Sequence, residues 1–314
     1  MDNSNNFFLN RRVLITGGTG FIGSHLIQQL HASGAIISII SREKKCDLAE
    51  TNQYTGDIRD SSFVTECMID FNADYIFHLA AYKERSESIQ AFYSAIETNL
   101  IGSLNIFSAA KETNSVKFIV ALGTAEEYGN NIPPFDEKLR ECPVTPYSFS
   151  KSCVSHLGEL FFHLYNLPVI IIRPTLAYGP GQGNDMFVTS LITSLLDDKP
   201  FDMTLGDQTR DFVYVDDVVD SLILAAKNSQ AKGQIINIGS GIPIKIGDIA
   251  KKIETIIGKK GLINLGGKQY RKNEVMEYYV DLKRADNILG WKAKTSLDDG
   301  LLKTIDYYRR VKRL

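Results

Sequence analysis

Tyr147 and Lys151 stand four residues apart in the run PYSFSK, a spacing that puts a phenol and an ammonium on one face of a helix's first turns. A phenol with a reference pKa of about 10 is a poor acid or base at neutral pH. An ammonium one turn away stabilises the phenolate, and an oxidised nicotinamide beside it would do the same. Lys151 could also hold the nicotinamide ribose. Tyr/Lys pairs at this spacing are common by chance, so the pair counts only in company. Its company is Thr124, directly after an apolar run, and a glycine-rich turn near the N-terminus. Together they suit exchange of a proton at a carbinol oxygen and of a hydride at its carbon. Thr124 belongs to the stretch GTAEEYG, where two adjacent carboxylates, Glu126 and Glu127, follow it. Such carboxylates could add elimination or epimerisation to a simple hydride transfer.

The glycine turn reads LITGGTGFIGSHLIQQL. It places Gly17, Gly20 and Gly23 after a strand and at the start of a helix, and Gly18, Gly20 and Gly23 also fit the G-x-G-x-x-G spacing. A dinucleotide site needs glycine there for a tight turn, for backbone approach to the pyrophosphate and for close helix–sheet packing. A glycine turn without a ligand is the plain alternative, and the strand-turn-helix context favours the dinucleotide. At the end of the second strand an NAD site usually carries an acid for the ribose hydroxyls. Here that position is Ser41, followed by Arg42; a hydroxyl and a guanidinium suit a 2′-phosphate, and Lys44 or Lys45 would add charge. The expected cofactor is NADP(H). NAD(H) is the alternative, since Glu43 could be the ribose ligand and a solvated basic turn needs no ligand at all. After a third strand, Asp57 of TGDIRD is placed to meet the adenine amino group, with Ile58 packing on the ring. A turn aspartate explains Asp57 almost as well.

Short β-branched runs alternate with helix-period segments through the first two-thirds of the 314 residues. RVLIT (12–16), AIISII (35–40), YIFHLA (75–80), KFIVALG (117–123) and VIIIR (169–173) are nearly continuous in apolar residues, as strands buried on both faces of a parallel sheet must be. With helical patterns between them, they predict an α/β fold, a Rossmann-type doubly wound parallel sheet. After Pro174 the rhythm loosens into AYGPGQGND, a helix at MFVTSLITSLL, a strand at QIINIGSG, and then short helices with no obvious sheet continuation. The expected organisation is a dinucleotide-binding domain over 1–173, with a return segment at about 212–242, and a smaller interleaved substrate-binding domain over 174–314.

Hydrophobic content of 44%, charged content of 23% and a net charge of −2 give no reason to expect nucleic acid or an acidic membrane as partner. The longest apolar runs are strand-sized, and MDNSNNFFLN lacks the cationic start and apolar core of a signal peptide. Cys46, Cys67, Cys142 and Cys153 form no CxxC pair, so neither a metal site nor a disulfide framework is expected. The expected compartment is reduced and cytoplasmic.

The chain resembles the extended short-chain dehydrogenase/reductases that act on nucleotide sugars, the NAD-dependent epimerase/dehydratase family. TGGTGFIG, GDIRD, FHLAA, NLIGSLNI, YSFSK, RPTLAYGPG, RDFVYVDDVVD and LGW fall in family order over nearly the whole chain. The resemblance implies a nucleotide-sugar substrate and a catalytic triad of Thr124, Tyr147 and Lys151. Tyr147 would exchange the proton at a sugar oxygen that Thr124 also hydrogen-bonds. It implies a cofactor bed of Gly17, Gly20, Phe21, Ile22, Gly23, Ser41, Arg42, Asp57, Ile58, Leu79, Ala80 and Ala81, together with Tyr147 and Lys151. It makes Asn99 a structural or water-holding residue, Arg210 a ligand of the substrate diphosphate, and Arg271 a second basic ligand near the nucleotide.

In the family's 4,6-dehydratases the loop reads Thr-Asp-Glu, the Asp acting as acid for the departing C6 hydroxyl and the Glu as base at C5. Here it reads Thr124-Ala125-Glu126. A methyl group cannot protonate a leaving hydroxide, and a positioned acid is typically worth about 10² to 10⁴ in rate. Dehydration is therefore disfavoured. The family's 4-epimerases recycle a tightly held NAD, usually with an aspartate after the second strand, whereas Ser41-Arg42 is as in members that consume NADPH. EEYG is similar to the loop of GDP-4-keto-6-deoxymannose reductases, and RKNEVMEYYVDLKRADNILGW to the C-terminal region of CDP-abequose and CDP-paratose synthases. The expectation is an NADPH-dependent reductase of a nucleoside-diphosphate-linked 4-keto-6-deoxy hexose, with an NAD-dependent 4-epimerase as the alternative. A non-catalytic dinucleotide sensor would more often have lost the Tyr/Lys pair.

Glu126 is then a contact to a sugar hydroxyl, a base for accompanying epimerisation, or a loop carboxylate bonded to backbone or water. Lys83 and Arg85 point by topology to the mouth of the site, as substrate ligands or solvated charges. His78 reads as a satisfied core histidine, and His25 and His31 as surface or packing residues. The helices near 91–111 and 148–166 carry apolar faces wider than one sheet face requires. In the family such a pair forms a four-helix dimer interface, so a homodimer is expected.

Overall fold

The computed structural model describes residues 7–43, 51–84 and 86–312. Six strands appear in the first part of the chain: β1 (Arg12–Thr16), β2 (Ile36–Ser41), β3 (Asn52–Thr55), β4 (Tyr75–His78), β5 (Phe118–Leu122) and β6 (Val169–Pro174). Three shorter or later ones follow, β7 (Leu176–Tyr178), β8 (Phe201–Met203) and β9 (Thr209–Tyr214), and then β10 (Ile235–Ile238), β11 (Pro243–Lys245) and β12 (Ile263–Leu265). The main sheet runs β10-β6-β5-β4-β1-β2-β3, with every pair parallel. The chain leaves β1 towards β2 and β3 on one side and towards β4, β5 and β6 on the other. The strand order therefore reverses between β1 and β4, and the crevice at their carboxyl ends is where such a sheet takes its ligand.

The strands divide their side chains between two apolar layers with period two. Val13, Ile15, Ile37, Ile39 and Phe77 join one layer with Leu26, Ile27 and Leu30 of α1 (Phe21–Ala32). Leu14, Ile40, Ile76 and Ile119 join the other, with Val64 and Met68 of α2 (Ser61–Phe71). After α3 (Ile89–Ala95) the chain makes a π-helical turn, Ile96–Ile101, before α4 (Gly102–Thr113). α5 (Pro146–Tyr165) starts on a capping box between Thr145 and Ser148, with Pro146 in its first turn, and ends at Asn166 in the left-handed region. Those signals are local, and the helix start beneath Tyr147 and Lys151 is fixed by them.

The remaining elements are α6 (Phe187–Leu196), α7 (Val215–Lys227), α8 (Ile246–Ile257) and α9 (Leu297–Val311). β7, β9 and β11 form a small second sheet, and β8 pairs with β12. The chain beyond residue 245 thus differs from the expected run of short helices: α8 and α9 span 12 and 15 residues, and β12 forms a two-stranded ribbon with β8 apart from the main sheet. Strands of three residues are too short to show a period, which is why the pattern did not reveal them. Among the described residues no helix is long and apolar enough to cross a membrane.

Candidate active site

The glycine turn lies at the carboxyl end of β1, against the end of β4. Gly17 has φ +71°, and a Cβ there would lie 2.6 Å from the Ala80 nitrogen; a Cβ on Gly23 would lie 2.3 Å from the Gly17 oxygen. Only glycine lets the turn sit this close to both strand and helix. Leu79 N–H donates to the Thr16 carbonyl at 3.0 Å and Ala80 N–H to Thr16 Oγ1 at 3.2 Å, so Leu79, Ala80 and the half-buried Ala81 lie alongside the turn. Gly20 precedes Phe21 and Ile22 at the start of α1, which has neither a side-chain cap nor an acid in its first turn. A helix start of that kind presents backbone N–H groups and positive potential to an anion.

At the end of β2, Ser41 Oγ donates to the Glu43 carbonyl at 2.7 Å and accepts from Gln53 Nε2 at 2.5 Å, while Arg42 and Glu43 are exposed. Lys44 and Lys45 lie outside the described residues, as does Arg85. Asp57 accepts from Arg59 through its backbone N–H at 2.9 Å and its guanidinium at 2.8 and 3.0 Å. Those bonds hold its carboxyl below the usual range, with a smaller contribution from the nearby Arg42 charge. Ile58 is buried, its side chain against Gly102 of α4.

Thr124 follows β5 in extended conformation and caps a 3-10 turn, Ala125–Tyr128, its Oγ1 accepting from Glu126 N–H at 3.2 Å. α5 brings Lys151 to the same strand end, where its buried Nζ donates to the Leu122 carbonyl at 2.6 Å. Burial pulls the Lys151 ammonium down to about 8, against the opposing pull of the Glu127 carboxylate. Tyr147 is half-buried one turn earlier on α5. Its carbonyl accepts from Ser150 Oγ at 2.8 Å, and Ser150 accepts from Asn99 Nδ2 at 2.8 Å. Asn99 also exchanges hydrogen bonds with the Tyr82 backbone, donating at 3.0 Å and accepting at 2.7 Å. The π-helical turn that holds it is a deviation commonly found at functional sites.

The two glutamates separate in role. Glu127 is fully buried: Oε1 accepts from Thr124 N–H at 2.9 Å, and Oε2 accepts from Ser155 Oγ and pairs with Arg173 Nη2, both at 2.6 Å. Arg173, also fully buried, pairs with Glu141 at 2.6 Å and lies over the Tyr128 ring at 4.9 Å. Glu127 is thus a strut between β5, α5 and β6. Glu126 is half-buried on the turn. Ala125 is fully buried in an apolar cluster with Tyr128, Phe135, Tyr278 and Val280.

Lys83 pairs with Asp185 at 3.0 Å on the exposed rim, linking the loop after β4 to the glycine-rich loop after β7. Arg210, on β9, donates to the Thr209 and Val275 carbonyls at 2.7 Å and pairs with Glu274. Arg271 is exposed in the same segment, its carbonyl accepting from Glu274 N–H at 3.1 Å. His25 bridges α1, Asp216 and the Pro180 carbonyl at 2.7 and 2.9 Å, a tie its surface-like setting did not foretell.

The profile of the NAD dependent epimerase/dehydratase family matches residues 13–239, a span that holds the glycine turn, Thr124, Tyr147 and Lys151. The chain belongs to this family. It is 28% identical to the UDP-glucuronate 4-epimerase of Thermodesulfobacterium geofontis over 94% of this chain and 95% of that one. The UDP-glucose 4-epimerase of Thermotoga maritima, solved with UDP-glucose, has a TM-score of 0.90 at 28% identity, covering 96% of this chain and 99% of that one. The dTDP-glucose 4,6-dehydratase of Streptomyces venezuelae, solved with NAD, has a TM-score of 0.87 at 26% identity, covering 96% and 98%. These relatives are epimerases and a dehydratase, and none is named a 4-ketoreductase. As a family member this chain is an enzyme of the epimerase/dehydratase type. The residues present fit a dinucleotide: the turn at Gly17 and Gly23 leaves no room for a side chain, and the start of α1 is uncapped. The sequence reading missed the Glu127–Arg173 pair. The signal available was an arginine closing the otherwise apolar strand VIIIR, a charge that burial obliges to find a partner.

Proposed function

We propose that the protein is an NADPH-dependent reductase of a nucleoside-diphosphate-linked 4-keto-6-deoxy hexose. The observation that carries this reading is the end of β2, where Ser41 and the exposed Arg42 stand in place of a ribose-binding acid. Ala125 supports it: the position of the elimination acid holds a methyl group turned into an apolar cluster, which leaves hydride transfer without dehydration. The glycine turn, Ser41 and Arg42 would hold the cofactor. When bound, that cofactor supplies the hydride for the C4 carbonyl carbon. Tyr147 gives its phenolic proton to the carbonyl oxygen, so the ketone becomes an alcohol. Thr124 donates to the same oxygen from a loop that Glu127 fixes. Lys151, charged below a pH of about 8, stabilises the phenolate left behind. Arg210, which would have to leave Glu274, and Arg271 are assigned in this reading to the diphosphate end of the substrate.

A 4-epimerase is the second reading, favoured by the names of the relatives above. Loss of reduced-nicotinamide absorbance decides between them, comparing NADPH with NADH over a panel of nucleotide-linked 4-keto-6-deoxy sugars. Stoichiometric oxidation of NADPH by one of them is expected. Interconversion of a plain nucleotide hexose with its 4-epimer, with no net use of either cofactor, would sink the reductase.

α3 and α5 pack together and leave the apolar side chains of Ile89, Tyr93, Leu160 and Leu164 exposed. We propose that this face forms a homodimer. Sedimentation should give a dimer for the native protein and a monomer for Leu164→Asp; a native monomer at micromolar concentration contradicts it.

A further inference from the structure

Five buried side chains link the strand beneath the cofactor turn to the helix that carries Tyr147. Thr16 ends β1, His78 ends β4, Ser103 lies in the first turn of α4, Asn99 in the π-helical turn, and Ser150 on α5. The hydrogens in this chain can be placed by elimination. The Asn99 carbonyl can only accept, so Ser103 Oγ, 2.5 Å away, donates to it. With its one hydrogen committed, Ser103 Oγ must accept from His78 Nε2 at 2.9 Å. Nε2 therefore carries the proton. Burial, and then the Lys151 charge, pull the His78 imidazole down to about 3, so it is neutral and Nδ1 is bare. Nδ1 accepts from Thr16 Oγ1 at 2.7 Å, and Thr16 Oγ1 accepts from Ala80 N–H at 3.2 Å. Beyond Asn99 the chain continues through Ser150 to the Tyr147 carbonyl.

A core histidine that was merely satisfied would need any two partners. Here each partner is itself committed: Thr16 adjoins Gly17 and grips Ala80, and Ser103 grips the backbone of Asn99. We propose that His78 is a positioning residue for the hydride-transfer site, holding the end of β1 and the cofactor turn in register with the π-helical turn and, through Asn99 and Ser150, with Tyr147. A neutral imidazole suits this work because it donates at one end, to Ser103 on α4, and accepts at the other, from Thr16 on β1.

The first test needs no substrate. ¹⁵N-histidine spectra of the full-length protein should show one imidazole protonated at Nε2, with Nδ1 a hydrogen-bond acceptor, unchanged between roughly pH 5.5 and 8.5. A proton on Nδ1, or titration in that window, overturns the proposal. The second test rests on the function proposed above and uses whichever nucleotide sugar the native enzyme converts. In folded His78→Phe, and in Ser103→Ala, kcat should fall by about 10- to 100-fold with KM for the sugar little changed. The double variant should be no slower than the slower single one, since serial links fail together. Multiplying effects, or an unaltered kcat in folded His78→Phe, overturn the proposal. If His78→Phe does not fold, Ser103→Ala carries the kinetic test, and an unaltered kcat in it overturns the proposal. If the native enzyme converts no such sugar, the proposed function falls, and the spectra still judge His78.

Discussion

Tyr147→Phe is expected to lower kcat by about 10² to 10⁴, the usual worth of a positioned acid or base, while leaving KM for the nucleotide sugar within a few-fold. The substitution removes one oxygen from a half-buried side chain on a helix whose start is fixed by its own capping box, so the fold should be kept. The phenol proton matters only as the carbonyl oxygen gains charge, which puts the loss in kcat. The same step predicts a pH dependence for the native enzyme. The cationic form of Lys151 is favoured at low pH and is given up as pH rises through about 8. Above that, the phenolate left by proton donation loses its counter-ion, so the reduction rate should decline on the alkaline side. Single-turnover rates at saturating cofactor and substrate would measure both effects. A phenylalanine variant within about three-fold of the native kcat would remove Tyr147 from the chemistry.

The parts of this molecule that depend on near neighbours were legible in the sequence. Strands buried on both faces favour apolar side chains, so RVLIT and VIIIR marked β1 and β6 to within a residue. Tyr147 and Lys151 share a face because a helix repeats every 3.6 residues, and Thr145 and Pro146 announce where that helix starts. What escaped depends on distant pairing. Glu127 and Arg173 are neighbours only because β5 and β6 lie side by side in register, and neither local pattern says so. The hold of Glu274 on Arg210 likewise needs the 271–276 segment to lie along β9, where Thr209 N–H meets the Met276 carbonyl at 2.8 Å. GTAEEYG thus showed two carboxylates, and only the tertiary structure assigns Glu127 to the core and leaves Glu126 on the turn.

Arg173→Met should be among the most destabilising single changes in the chain. Methionine keeps much of the stem and removes the charge, leaving Glu127 fully buried without its cation. Breaking a buried ion pair from one side typically destabilises by about 3–5 kcal/mol. The denaturant midpoint would report it. Glu127→Gln in the Arg173→Met background removes the orphan charge while an amide keeps an acceptor for Thr124 N–H. The double variant should therefore be more stable than Arg173→Met alone. Recovery is expected to be partial, because Glu141, which pairs with the same Arg173 nitrogen at 2.6 Å, still lacks its cation in the double variant. Full recovery of activity is not expected, because Ser155 and Thr124 would share an amide that offers one acceptor oxygen where the carboxylate offered two. If Arg173→Met unfolded at the native midpoint at neutral pH, Glu127 would not be an ionised strut, and the support it gives to Thr124 would have to come from another group.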